Sequence, residues 1–257
     1  MYQVIANFSF QNFEHDPVIL INQIINQWLY NGQIIGREFS VTYHTQPSAH
    51  FQVRLATPEQ ISLMPEWNNI QVTEALSQAA EKGIEFESFE IIGRDYQAEQ
   101  TSENSNARFY ILYTTHLDSC SPLYNGDDFC PIPLYRLLQK DQSLAQALIK
   151  WQENWQACDQ LQMNGTILEQ SALNEISEID SNLAQLGTKL CREVERVTQV
   201  PTYYYLYRLG TNEAVEYQRK CSSCGAEWRL TEPLHQIFHF KCDKCRLISN
   251  LSWQLQK

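Results

Sequence analysis

The chain has 257 residues, is 43% hydrophobic and 19% charged, and carries a net charge of −11. These fractions are ordinary for a folded globular protein and exclude a disordered or fibrous class. No apolar run approaches the ~20 residues of a membrane span, since Val18 to Tyr30 is broken by Asn22, Gln23, Asn26 and Gln27.

In chain order, residues 2–10 alternate as a strand. Asp16-Pro17 then supplies an N-cap and a first-turn proline for a helix whose stripe is Val18, Ile21, Ile25 and Trp28, ended by Asn31-Gly32. Phe39, Val41 and Tyr43 alternate as a second strand, and Phe51, Val53 and Leu55 as a third. A helix over 70–82, stopped by Gly83, leads into a strand with Ile84 and Phe86. The order β-α-β-β-α-β predicts a ferredoxin-like unit within an α+β class. Asp95 to Asn106 reads as an exposed loop and Arg108 to Thr115 as a further strand. From Asp141 to Met163 the spacing of Leu144, Leu148, Trp151, Trp155 and Cys158 predicts a helix. Asn164-Gly165 turns the chain, and Thr166 with Glu169 forms a capping-box pattern. A single following helix carries Ile176, Ile179, Leu183, Leu186, Leu190, Val194 and Val197, giving an antiparallel helical hairpin that Pro201 ends. An aromatic strand over 202–209 follows, with Gly210-Thr211-Asn212 as a linker. The expected organisation is an acidic body over 1–209, comprising a sheet-rich part (1–136), the hairpin (137–200) and the aromatic strand, followed by a C-terminal module over 211–257.

That module carries the most specific chemistry. Cys221-Ser222-Ser223-Cys224 and Cys242-Asp243-Lys244-Cys245 are two Cys-x-x-Cys pairs separated by seventeen residues, the spacing of a zinc ribbon. Each pair sets two thiolates on one knuckle, and together they close a tetrahedral shell around one structural Zn²⁺, with no position open for substrate. Gly225 follows the first pair, where a knuckle favours positive φ. The segment is too short for a self-sufficient core, so metal binding is expected to supply its folding energy. His235 and His239 read as ribbon surface or core beside four thiolates.

The stretch Cys221-x-x-Cys224, Glu227-Trp228-Arg229-Leu230, Pro233-Leu234-His235 and Phe240 through Asn250 resembles a family of uncharacterised bacterial proteins described as containing a zinc ribbon and suggested to bind nucleic acid. Tyr203-Tyr204-Tyr205-Leu206-Tyr207-Arg208 and Pro131-Ile132-Pro133-Leu134-Tyr135-Arg136 are similar too, so the resemblance extends over most of the chain. It implies a ribbon and a nucleic-acid partner and attaches no catalytic residues.

Charge qualifies that implication. Seven basic and three acidic side chains give residues 219–257 a charge of +4 and leave −15 to the other 218. Phosphate binding needs clustered cations, and only the tail has them: Arg219, Lys220, Arg229, Lys241, Lys244 and Arg246, with Trp228 as a stacking residue. The alternative is an acidic interaction module, of inhibitor or immunity type, covering a basic protein. Tyr203, Tyr205 and Tyr207 share a strand face that suits base stacking or a half-buried sheet. His116, Asp118, Cys120, Asp127, Asp128 and Cys130 are ligand-type residues whose spacing fits no metal template, and Asn125-Gly126-Asp127-Asp128 is ordinary turn chemistry. No Gly-x-Ser-x-Gly, phosphate loop or His-Glu-x-x-His occurs, so a non-enzymatic binding protein is expected. The N-terminus lacks the basic head and apolar core of an export signal. Metal-spaced thiols without such a signal predict the cytoplasm, with Cys120, Cys130, Cys158 and Cys191 free.

Overall fold

The computed structural model describes residues 1–255 except Ser105, Gln139 and Lys140. Ser105 of the expected loop, Gln139 and Lys140 of the expected hairpin, and Lys257 of the basic tail lie outside the described residues. The chain forms two compact units.

The first comprises residues 1–101, 119–121 and 130–149. Its first part runs β1 (Tyr2–Phe10), α1 (Pro17–Asn31), β2 (Val41–His44), β3 (His50–Thr57), α2 (Ile70–Glu81) and β4 (Ile84–Arg94). All pairings are antiparallel and the strand order is β2-β3-β1-β4, so the N-terminal unit is ferredoxin-like. Asp16 caps α1, its side chain accepting from the Val18 and Ile19 amides, and Gly32 ends it at φ 79°. A Cβ on Gly32 would also lie 2.9 Å from that of Leu134. The buried stripe is Leu20, Ile21, Ile24, Ile25 and Trp28; Val18, expected on it, is exposed. It packs on alternate β1 and β3 residues, Val4, Ala6 and Phe8 facing Leu55, Val53 and Phe51 in register.

Two polar clusters fix the connections in this unit. The buried amides of Asn31, Gln33 and Asn69 bond one another and the Ser62 carbonyl at 2.8 Å. The Tyr135 hydroxyl, on α3 (Leu134–Leu137), donates to Glu59, which also takes Arg136 Nε at 2.7 Å. The Pro131-to-Arg136 motif is thereby clamped within the unit.

The second unit comprises residues 102–118, 122–129 and 150–257. It takes in α4 (Gln142–Asn164) from residue 150 onward, and holds β5 (Tyr110–Leu112) and β6 (Leu123–Asn125). The helical pair follows, but its second arm is two helices, α5 (Glu169–Ser177) and α6 (Asn182–Thr198). The single helix expected there is interrupted because Ser181 caps α6, its hydroxyl accepting from the Ala184 amide. The Thr166 capping box does not form either; Leu168, at φ 54°, takes the N-cap position without a side-chain bond. Next come β7 (Thr202–Leu206), the short α7 (Glu213–Tyr217), and the hairpin β8 (Arg229–Leu234), β9 (Phe238–Cys242) and β10 (Leu247–Asn250). The six-stranded sheet has the order β6-β5-β7-β10-β9-β8. Strands β5 and β10 flank β7 in parallel.

Every residue of β7 is buried. Tyr203, Tyr205 and Tyr207 are core residues, and Tyr205 packs near Tyr113, Trp155 and Phe238. The half-buried sheet anticipated as the ordinary reading is thus exceeded, and none of these three tyrosines offers an open face to a base.

Candidate metal centre and the charges around it

Two turns of the same design make the site. In the first, the Gly225 amide donates to the Cys221 carbonyl at 2.8 Å and the Cys221 amide to the Ala226 carbonyl at 2.9 Å. Gly225 takes φ 68°, and Arg246, in the same position after the second pair, takes φ 54°. The knuckles bring the sulfurs of Cys221, Cys224, Cys242 and Cys245 within 4.8 Å of one another. Among the described residues this is the one such group of ligand-type side chains. The Cys224 and Cys242 sulfurs are 3.8 Å apart; a tetrahedron with metal–sulfur bonds of about 2.3 Å has an edge of about 3.8 Å. The donor set therefore fits a four-coordinate thiolate metal.

Burial pushes the Cys242 thiol up to about 12 and raises Cys221, whereas the Ala226 amide directed at Cys224 lowers it to about 7. Without a cation these two buried thiols stay protonated, and a coordinated metal ion is the group that deprotonates such thiols outright. His235 Nε2 meets the Gly126 carbonyl at 2.8 Å and His239 Nδ1 the Ile237 carbonyl at 3.0 Å; neither joins the sulfurs.

The tail cations are placed very differently from one another. Arg219 is half-buried, with its side chain 12% exposed; it pairs with Glu216 at 3.0 Å, donates to the Asn250 carbonyl and lies 4.3 Å over the Phe240 ring. Trp228 is 3% exposed, with its Nε1 donating to the Arg219 carbonyl. Both build the core that carries the knuckles. Lys241 pairs with Asp243 and sits 4.5 Å over the Tyr203 ring. Arg246 places Nε and Nη2 on Glu195, each at 3.1 Å, and Nη1 on the Asp243 carbonyl. Lys220 pairs with exposed Glu227. Arg229 is exposed over the Tyr217 ring, and Lys244 is exposed.

The polar residues between His116 and Asp128 that belong to this unit have structural work. Asp127 holds Arg108 at 2.6 Å, Asp128 takes the Ser102 hydroxyl at 2.7 Å, and Asp118 accepts from the Thr115 amide. His116 Nδ1 lies 3.1 Å from the buried Asp159.

Three family models, each described as a domain of unknown function, match successive stretches: DUF8589 over residues 1–93, DUF2310 over 104–207 and DUF8594 over 210–255. An uncharacterised protein of Haemophilus influenzae is 52% identical over 236 residues, covering 91% of this chain and 90% of the relative. The chain belongs to that uncharacterised bacterial family. A second uncharacterised H. influenzae protein is 50% identical over 197 residues, 76% of this chain and 93% of the relative. No solved structure matches the chain. Among the described residues of this family member, no helix is long and apolar enough to cross a membrane.

Proposed function

We propose that Cys221, Cys224, Cys242 and Cys245 hold one structural Zn²⁺. We further propose that the chain is a non-enzymatic cytoplasmic protein whose C-terminal ribbon contacts nucleic acid or a machine that handles it. Bound zinc would supply a closed tetrahedral shell and the folding energy of the knuckles, with no site for catalysis. The observation that carries the partner reading is the charge division, +4 on residues 219–257 against −15 elsewhere. Lys244, Arg229 and Lys220 are the tail cations that face solvent and would make the phosphate contacts, while Arg219 and Trp228 support them from beneath. Metal analysis of purified protein beside Cys242→Ser is expected to give one zinc per chain and a loss in the variant. Fluorescence anisotropy with a short DNA strand and a short RNA strand at two salt concentrations tests the partner. Binding that weakens with salt is expected, and no binding at low salt, or none of that dependence, overturns it.

A second reading is favoured by the ion pairs of Arg219, Lys241 and Arg246 with carboxylates, which reduce the positive field of the ribbon. The acidic body would then cover a basic protein, as an immunity-type protein covers its target, with the metal module as a stabiliser. Salt-sensitive capture of a basic protein after nuclease treatment, with no affinity for nucleic acid, is the outcome that would favour this reading over the first.

A further inference from the structure

A cleft of about 400 Å³ opens beside the knuckles of the second unit. Helix α6 contributes Thr188 and Arg192, the first knuckle Ser223, and the second Lys244 and Arg246; no carboxylate is among its described lining residues. We propose that this cleft binds a phosphate group, with Arg192 and Lys244 as its principal contacts. The nucleic-acid form of the proposal rests on the ribbon reading above, and it adds a residue from α6 that lies outside the ribbon.

In a chain of charge −11, Arg192 and Lys244 border one concavity that has no lining carboxylate, and Arg246, paired with Glu195, adds a third cation to it. Arg192 and Lys244 are both exposed and take part in no ion pair among the described residues. Arg246 is held in place by Glu195 and the Asp243 carbonyl through three N–H groups, which leaves two of a guanidinium's five donors for a ligand. The Thr188 hydroxyl already donates to the Gln185 carbonyl at 2.9 Å, so the hydroxyl donor is that of Ser223. No aromatic ring lines the cleft, so it offers charge and hydrogen bonds with no stacking platform. That is chemistry for a phosphate and not for a base, and it gives contact without sequence preference. The rival counter-charge is the metal centre itself, because Cys224 and Cys245 also reach the cleft and four thiolates on a divalent ion carry a formal −2.

Arg192→Gln, Lys244→Gln and Arg229→Gln, the last on β8 and absent from the cleft lining, are compared with wild type for bound zinc, for binding of a short fluorescent single strand, and for amide NMR shifts with inorganic phosphate. Arg192→Gln and Lys244→Gln are each expected to keep their zinc and weaken strand binding about tenfold. Each should also reduce the magnitude of the log–log salt slope by about 0.7. Phosphate should shift the Ser223 and Lys244 amides in wild type and not in Arg192→Gln. If phosphate gives these shifts while the strand does not bind, the cleft serves free phosphate and the ribbon reading fails alone. If the strand binds wild type and loses affinity only in Arg229→Gln, the cleft proposal is overturned and the ribbon reading stands. No phosphate shift in wild type, or zinc loss from Arg192→Gln and Lys244→Gln without an anion effect, also overturns it; the latter would make the two cations counter-charges of the metal.

Discussion

Replacing Gly187 with alanine should destabilise the second unit although it improves a helix. Gly187 lies within α6, where glycine-to-alanine exchange alone would stabilise by about 1 kcal/mol. An added Cβ would stand 2.2 and 2.7 Å from Cε2 and Cδ2 of Tyr204 and 2.8 Å from Nε1 of Trp151, where carbon pairs prefer about 3.5–4.0 Å. Tyr204 and Trp151 are fully buried, so the ring has to shift by more than an ångström within a filled core. Overpacking of this kind costs about 1–3 kcal/mol and occasionally more; with ring atoms on two sides the upper end applies. The net loss is then about 2 kcal/mol. Urea unfolding followed by tryptophan fluorescence measures it, with Gly93→Ala as the comparison, since a Cβ there meets nothing within 4 Å. A Gly187→Ala protein as stable as wild type, or more so, would refute the close seating of α6 on Tyr204.

Arg219→Ala should cost about 3 kcal/mol in urea unfolding, because it leaves one oxygen of the 1%-exposed Glu216 unpaired with only Arg208 remaining. Tyr135→Phe should lower stability by about 1–2 kcal/mol, since its buried hydroxyl bonds Glu59 and Ser62; an unchanged midpoint would remove the clamp. Asp95 is held below its ordinary 3.8, first by the Gln3 amide at 2.8 Å and then by the Gln97 amide. Its contribution is therefore complete above about pH 3.8 and declines as pH falls through the lower folded value. The stability gap between wild type and Asp95→Asn should close over that acid range, and a gap that widens on acidification would reverse the sign.

What could be read from the chain followed from local chemistry. Asp16-Pro17 and Gly32 mark the ends of α1 because cap and turn preferences act over a few residues, and the alternation of β1 and β3 carries the ferredoxin-like order. The four sulfurs were legible because the knuckle geometry is encoded in a four-residue spacing. The split of α5 from α6 was hidden: the apolar stripe runs on through it, and Ser181 looks like any polar helix residue until it caps. Arg246 in the left-handed region was equally hidden, since its place is imposed by the second knuckle where the first uses Gly225. The basic residues of the tail read as one surface, yet their partners lie far off in sequence: Glu195 for Arg246, and the Phe240 ring for Arg219. Arg192 gave no signal at all, because only the folded chain brings α6 to the knuckles.

The parallel pairing of β10 with β7, Leu247 to Tyr204 and Ile248 to Tyr205, makes the tail that carries the cysteine centre the cover of a strand edge. Were the tail to come loose, β7 would present an unpaired row of backbone amides and carbonyls along Thr202-Tyr203-Tyr204-Tyr205-Leu206, with neither a charge nor a proline within it. Such an uncovered edge invites another chain to add a strand. If the cysteine cluster holds the proposed metal, its removal is expected to promote self-association into strand-paired aggregates.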